Sequence, residues 1–154
     1  MEFRVITSES ERFVETIFAG QTAQYWVHYN RYWHQLAREK DDIEARLITV
    51  DEIDQPIGFI AYGQHYLDEA LTQPKPGIYE IIHLVIDEPY QGRGFGREAT
   101  QKAIALLDTI DTCQAIVIAH HPDNIAAQKL YRSLGFVQIG TNYDGDPLLE
   151  LRRA

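Results

Sequence analysis

Three glycines at alternate positions, Gly92, Gly94 and Gly96, stand between a long apolar run and a helical pattern. The run Ile78–Ile86 is rich in β-branched residues, which predicts a largely buried strand. Pro89 ends that strand, because proline has no N–H to donate to a sheet. Backbone without Cβ atoms can approach a ligand closely, and the first turn of a helix presents N–H groups at the positive end of its dipole. The sequence therefore predicts a strand, a phosphate-binding loop and a helix in succession.

The spacing of the glycines excludes two common nucleotide-binding loops. A dinucleotide loop has the form G-x-G-x-x-G, but Arg97 stands at its third glycine position, and no G-x-x-x-x-G-K-[ST] string occurs. The string that is present, Gln91 to Gly96, has the form Q/R-x-x-G-x-G/A. With a strand before it and a helix after it, this string resembles the pyrophosphate-binding loop of the GNAT N-acetyltransferase superfamily. An ordinary glycine turn between a strand and a helix is the alternative interpretation.

A second motif reinforces the resemblance. The string Asn124-x-x-Ala127-x-x-Leu130-Tyr131-x-x-x-Gly135-Phe136 matches the other signature of this superfamily. The resemblance implies an α+β GNAT fold, in which a mixed, mostly antiparallel sheet has a splayed central pair of parallel strands and is flanked by helices. It also implies acetyl-CoA as the cosubstrate.

The remaining chain contains further strand and helix patterns. Predicted strands lie at Phe3–Thr7, Arg46–Val50, Ile57–Tyr66, Ala115–Ala119, Phe136–Gly140 and Leu148–Leu151. Predicted helices cover residues 11–20 and 22–39, and two more follow the glycine loop and Asn124. Pro74 and Pro76 place residues 68–77 in a loop. A right-handed crossover makes Ile78–Ile86 and Ala115–Ala119 a parallel pair.

Composition bounds the class of protein and its partners. A length of 154 residues predicts one domain over residues 1–154, and the 45% hydrophobic and 24% charged content is typical of globular proteins. We expect no signal peptide and no membrane partner, because no apolar run reaches the roughly 18 residues of a membrane span. Cys113 is the only cysteine, which fits a reducing cytoplasm. The net charge of −9 argues against nucleic acid and is compatible with a cationic substrate.

The resemblance assigns cofactor contacts to three parts of the chain. Backbone N–H groups of the glycine loop would hold the pyrophosphate, and the residues concerned are Gln91, Gly92, Arg93, Gly94, Phe95, Gly96 and Arg97. The backbone of Leu84, Val85 and Ile86 would pair with the pantetheine arm, and one N–H there would stabilise the oxyanion. Asn124 matches the position whose side chain binds that arm, and capping of a helix is the alternative role.

The resemblance also gives two candidate catalytic residues. Tyr131 matches the tyrosine that members of the family place near the sulfur as general acid, and a phenol with a pKa of about 10 is protonated at neutral pH. A core tyrosine is the alternative. Glu80 matches the base glutamate of histone-acetylating members, whereas polyamine-acetylating relatives carry their acid where this chain has Ile82. We expect Glu80 to act as the base, directly or through water, or to bind the substrate.

Aromatic residues at spacings of three and four mark the helix predicted over residues 22–39: Tyr25, Trp26, Tyr29, Tyr32 and Trp33. Such a face usually packs in a core. The alternative is a wall of the acceptor pocket, where rings hold a cation or an alkyl chain, with Tyr25 and Tyr29 as substrate-binding candidates.

The histidines do not predict a metal site. His83 alternates to the strand face opposite Glu80, which predicts a core or dimer-face histidine. His120, His121 and Asp123 are close in sequence, but adjacent histidines at a strand end point to opposite sides, and no H-E-x-x-H or Cys/His set accompanies them. We therefore expect no metal cofactor.

These inferences predict an N-acetyltransferase that acts on a primary amine by direct attack in a ternary complex. Residues 87–97 and the tail from Asn124 to Gly145 most resemble small bacterial enzymes that acetylate spermidine, spermine or diamines. A protein lysine, N-terminal or antibiotic acetyltransferase is an alternative, because acceptor loops differ widely on one fold. A non-catalytic CoA-binding sensor is another. We expect a small-molecule amine as partner and a homodimer.

Overall fold

The computed structural model describes residues 1–21 and 30–153. Its strands are β1 (Glu2–Val5), β2 (Ile43–Thr49), β3 (Gly58–Tyr66), β4 (Pro74–Ile86), β5 (Ala115–Ala119), β6 (Val137–Thr141) and β7 (Pro147–Arg152). Its α-helices are α1 (Asn30–Glu39), α2 (Phe95–Asp108) and α3 (Ile125–Ser133). None of these helices combines the length and apolar character that a membrane span requires.

The strands form one mixed sheet in the order β1-β2-β3-β4-β5-β7-β6. β4 and β5 are parallel, with residue pairs from Ile78–Ala115 to Ile81–Ile118. The pairs β1–β2, β5–β7 and β6–β7 are antiparallel. β5 ends at Ala119, whereas β4 continues to Ile86. The predicted α+β fold, with a parallel pair inside a mostly antiparallel sheet, is confirmed.

The chain divides into two compact units. Unit one contains residues 1–62 and 83–100, and its core is built on Leu47, Ile48, Ile57, Phe59 and Ile60. Unit two contains residues 63–82 and 101–154. Buried residues of its core are Ile81, Leu107, Ile116, Ile118 and Leu149. In β5 every residue except Ala119 is buried, as expected for a strand covered on both faces.

Two predicted segments differ from the structure. The helix predicted over residues 11–20 is only a 3-10 turn at Glu11–Phe13. The loop predicted over residues 68–77 is shorter, because β4 already begins at Pro74. Pro74 and Pro76 are exposed there, and an exposed strand start tolerates the missing N–H groups. In α2, Leu106 is 38% exposed, while Ala99, Ala103 and Leu107 are buried.

A buried hydrogen-bond network replaces the missing helix in unit one. The Asn30 side-chain amide donates to the carbonyls of Val14 and Ile17, each at 2.9 Å. His83 Nε2 lies 2.8 Å from Asn30 Oδ1 and donates to it, because that oxygen can only accept. His83 is 7% exposed, so the core role predicted for it is confirmed. One asparagine therefore satisfies two backbone carbonyls and a core histidine.

Replacing this asparagine is expected to destabilise the fold. Asn30→Ala should lower the free energy of unfolding by about 2–4 kcal/mol, because three buried polar groups lose their partner. Urea denaturation measures the change. Gln55→Ala is the control, since the Gln55 amide bonds the Tyr90 hydroxyl at the surface, and it should cost less than about 0.5 kcal/mol. Equal effects of the two substitutions would contradict the importance of the buried network.

Candidate active site

The glycine loop of unit one presents bare backbone to open space. Gly92 and Gly94 have φ angles of +77° and +85°, a region that favours glycine. Apart from the adjoining residues and the backbone of α2 itself, no atom of residues 1–21 and 30–153 lies within 4 Å of a Cβ atom placed on Gly92, Gly94 or Gly96. The positive φ angles account for glycine at positions 92 and 94, and the open space beside all three glycines leaves room for the close approach of a ligand.

The start of α2 lies directly behind this loop. The first intrahelical bond runs from Glu98 N–H to the Gly94 carbonyl, at 3.1 Å. The amide groups of Phe95 and Gly96 precede that bond and so have no partner within the helix. Thr100 Oγ1 donates to the Gly96 carbonyl at 2.7 Å and holds the first turn. This end of α2 combines N–H donors with the positive end of the helix dipole, which suits a phosphate group.

Gln91 anchors the loop to its own unit. Its side-chain nitrogen donates to the carbonyls of Ala19 and Ile86, at 3.0 and 2.9 Å. This nitrogen is therefore used within the protein, and a contact of the other Gln91 groups with a cofactor remains a prediction. The glutamine of the motif thus has a structural role that the sequence pattern alone does not reveal.

The two arginines of the loop differ in their surroundings. The Arg93 guanidinium stands 5.7 Å from the centre of the Tyr90 ring and donates weakly to the Pro89 carbonyl, at 3.4 Å. Arg97 lies exposed in the first turn of α2. Both are placed beside the loop, and their contact with a phosphate remains a prediction.

Side chains of β4 alternate between two faces. Ile81, His83 and Val85 are buried, whereas Glu80, Ile82, Leu84 and Ile86 are only partly buried. The alternation predicted for Glu80 is therefore present. Leu84, Val85 and Ile86 form the carboxyl end of β4, and a pantetheine contact there remains a prediction.

Glu80 of unit two has a partner that no motif predicted. His65 Nδ1, on β3, lies 2.6 Å from Glu80 Oε1. The side chains are 7% and 17% exposed, so both groups are largely removed from water. A pairing of this kind explains how an acidic residue is accommodated in an apolar strand. Only the register between β3 and β4 brings the two side chains together.

Tyr131, on α3 of unit two, is a buried ring whose hydroxyl forms no hydrogen bond within the described part of the chain. The residue is 9% exposed, and its ring packs near those of His120 and Phe136. Burial raises the pKa of Tyr131 to about 12. The phenol is therefore protonated across the neutral and moderately alkaline range, as a proton donor must be.

Asn124 is the N-cap of α3. Its Oδ1 accepts from the Ala127 N–H at 3.1 Å, which is the capping role considered as the alternative. The side-chain nitrogen is not used by that bond and has two hydrogens to donate. Capping orients the side chain, so a contact to a cofactor arm stays compatible with it.

The remaining candidates are two tyrosines and two histidines. Tyr25 and Tyr29 lie outside the described residues. His120 Nδ1 donates to the His121 carbonyl at 2.8 Å, and His121 Nδ1 accepts from the Asp123 N–H at 3.1 Å. Residues 1–21 and 30–153 contain no group of three His, Cys, Asp or Glu side chains arranged for a metal ion.

Comparison with known sequences places these features in one family. A sequence model of the acetyltransferase (GNAT) family matches residues 8–136. The spermine/spermidine N(1)-acetyltransferase of Bacillus subtilis is 32% identical over 80 residues, which are 52% of this chain and 51% of that protein. The N-alpha-acetyltransferase RimI of Mycobacterium tuberculosis is 37% identical over 70 residues, 46% of this chain and 42% of that protein. The chain spans about half the length of the curated relatives it matches.

Solved structures share the fold at low identity. An acetyltransferase from Thermus thermophilus superimposes with a TM-score of 0.76 at 14% identity, covering 99% of this chain and 96% of that one. The aminoglycoside acetyltransferase AAC(6')-Ib, in complex with coenzyme A and kanamycin, superimposes with a TM-score of 0.76 at 17% identity. The match covers 98% of this chain and 94% of that one. At these identities the similarity shows a common fold.

A substitution in the loop tests its predicted ligand. Gly94→Val should weaken binding of acetyl-CoA at least tenfold, or about 1.4 kcal/mol, because a branched side chain occupies the open space that the pyrophosphate needs. Isothermal titration calorimetry measures the affinity.

Gly145→Val is a matched control for backbone strain. Gly145 has a φ of +81° and equally open surroundings, but it lies in a turn outside the loop. This variant should bind acetyl-CoA as the parent does. Unchanged affinity of a folded Gly94→Val protein would exclude the loop as the pyrophosphate site.

Proposed function

Because the chain belongs to the acetyltransferase (GNAT) family, we propose that it transfers an acetyl group from acetyl-CoA to a primary amine. The open glycine loop at the start of α2 is the observation that carries the proposal. Loop and helix suit a pyrophosphate, since the part of the chain that the structure describes leaves open space, beyond the adjoining backbone, where a Cβ would stand at each of the three alternate glycines. The bound cosubstrate supplies an acetyl group in a reactive thioester.

Glu80 is proposed to prepare the amine. An amine with a pKa near that of lysine, about 10, is protonated at neutral pH and must lose a proton before it attacks. A carboxylate accepts that proton directly or through a water molecule. Binding of the substrate cation is the alternative role for Glu80. The Glu80 side chain is 17% exposed, so a small molecule can contact it while water competes little for the carboxylate.

Tyr131 is proposed to protonate the departing sulfur. Its hydroxyl makes no hydrogen bond within the described part of the chain, and its raised pKa keeps the phenol protonated at neutral pH, so that a proton is available for the sulfur. A backbone N–H among Leu84, Val85 and Ile86 is proposed to stabilise the negative charge that develops on the acetyl oxygen. The side-chain nitrogen of Asn124 is proposed to bind the pantetheine arm.

Direct attack by the amine is favoured over a cysteine intermediate. Cys113 is 5% exposed, and its thiol lies 3.7 Å from the Ala115 carbonyl. Burial raises the pKa of the Cys113 thiol, so the reactive thiolate is disfavoured. The chain has no other cysteine.

A polyamine or diamine is the proposed acceptor. The support is the 32% identity to a spermine/spermidine acetyltransferase and the net charge of −9. The similarity to an N-alpha-acetyltransferase favours a protein terminus as a second candidate, and an antibiotic is a further alternative because acceptor loops differ widely on one fold. Tyr131 and Glu80 are both present, which argues against a non-catalytic sensor. We also propose that the protein is cytoplasmic and that it forms a homodimer.

The phenol hydroxyl provides the sharpest test of the mechanism. Tyr131→Phe should lower turnover by about 100-fold or more and leave acetyl-CoA affinity nearly unchanged, because only the proton donor is removed. Steady-state kinetics, calorimetry and the melting temperature are measured together.

Tyr79→Phe is the matched control. The Tyr79 hydroxyl bonds Thr112 Oγ1 at the surface, at 2.7 Å, so turnover should stay within about twofold of the parent. Full turnover in a folded Tyr131→Phe protein would make Tyr131 a core residue and refute the proposed acid.

The acceptor class is tested by salt dependence. If the substrate is a polycation, attraction to several carboxylates contributes to binding, and such attraction is screened over about 10 Å at 0.1 M salt. The KM for spermidine should therefore rise with ionic strength more than the KM for a monoamine of similar length. Thiol release from acetyl-CoA is measured across an amine panel that includes an aminoglycoside and a peptide. Turnover of the peptide or the aminoglycoside without turnover of spermidine would reassign the acceptor.

A further inference from the structure

The His65–Glu80 pair lies entirely within unit two, on two strands of the sheet. Its separation of 2.6 Å is short for a hydrogen bond between nitrogen and oxygen. The 7% and 17% exposure of the two side chains weakens competition from water. The pair is therefore a strong and specific contact of the structure.

The direction of this hydrogen bond follows from chemistry. An ionised carboxylate has no hydrogen and can only accept, so His65 Nδ1 carries the hydrogen when Glu80 is ionised. Glu80 Oε1 is then occupied by His65. Among residues 1–21 and 30–153, no hydrogen bond engages Glu80 Oε2. The histidine thus makes the two oxygens of one carboxylate unequal.

A second contact fixes the strands that carry the pair. The Gln64 side-chain nitrogen lies 2.8 Å from the Lys75 carbonyl and 3.1 Å from the Ile78 carbonyl. Because side chains alternate along a strand, Gln64 and His65 project to opposite faces of β3. β3 and β4 are therefore linked on both faces near Glu80. This double link limits movement of His65 relative to the carboxylate.

We propose that His65 is a positioning residue for acetyl transfer, which holds Oε1 of Glu80 so that Oε2 takes the proton of the acceptor amine. The inference rests on the proposed function. In this step an N–H bond of the substrate ammonium breaks, and its electron pair stays on nitrogen. An O–H bond forms at Oε2, and the carboxylate becomes a neutral acid. No further reactant is required.

Two isosteric substitutions separate the hydrogen bond from the packing of His65. His65→Asn keeps an N–H donor near the Nδ1 position, whereas His65→Leu has the same shape without a donor. His65→Leu should lower kcat about tenfold or more with KM within about threefold, and His65→Asn should recover most of that loss. Each substitution is also made in Glu80→Gln, where it should change kcat by less than about twofold, because His65 acts through Glu80.

A measurement without turnover examines the pair itself. In the free protein, the Nδ1 proton of His65 should give a downfield proton NMR signal. The signal should be absent from His65→Asn and displaced in Glu80→Gln. If His65→Leu does not fold, His65→Gln takes its place as the variant without the hydrogen bond. The amide donor of glutamine lies farther from the backbone than His65 Nδ1 does.

Several outcomes would overturn the proposal. Equal kcat for the Asn and Leu variants would show that the hydrogen bond has no role in turnover. A rise in KM alone would assign the pair to substrate binding. A loss of kcat that is as large in Glu80→Gln as in the parent would show that His65 acts independently. A parent enzyme that acetylates no amine would refute the proposed function and this proposal together, and it would be seen before any variant is made.

Discussion

Unit one depends on hydrogen bonds from side chains to a segment that is neither helix nor strand. After the 3-10 turn, residues 14–20 have backbone carbonyls and amides that no ladder satisfies. Asn30 bonds two of the carbonyls, Gln91 bonds the carbonyl of Ala19, and an Asp87 carboxylate oxygen accepts from the Phe18 N–H at 3.0 Å. Buried backbone groups without partners are costly, so these side chains take the place of regular structure. The same contacts connect the segment to β4 and to the glycine loop.

Much of the fold could be predicted from the sequence, because hydrophobic periodicity is a local property. The predicted bounds of β5 are the observed ones, and the predicted strand Leu148–Leu151 lies within the observed β7. The helix predicted over residues 11–20 is wrong beyond the 3-10 turn, because the apolar residues have a helical spacing while the backbone is bonded by distant side chains. The start of β4 was missed because proline is a strong loop signal, and only the exposure of Pro74 and Pro76 makes a strand possible.

The candidate site, like the fold, has parts that could be predicted from the sequence and parts that could not. The glycine loop could be found because its chemistry lies in consecutive residues. His65 could not be found, since its meaning depends on Glu80, fifteen residues later, and on the register of two strands. Asn124 shows a third situation, because the same side chain satisfies both a motif and a helix cap. A match to a motif therefore identifies the position, and the structure is needed to identify what the side chain already does there.

The two bonds of Gln91 have a consequence for the kinetics of ligand capture. They are made entirely within the protein and hold the glycine loop to the carbonyls of Ala19 and Ile86. The entropy lost in ordering the loop is then part of the folding free energy, and an arriving ligand does not have to supply it. Association with such a preformed loop needs no slow rearrangement. Ligands that share the same phosphate groups should therefore have similar association rate constants and differ in their dissociation rate constants.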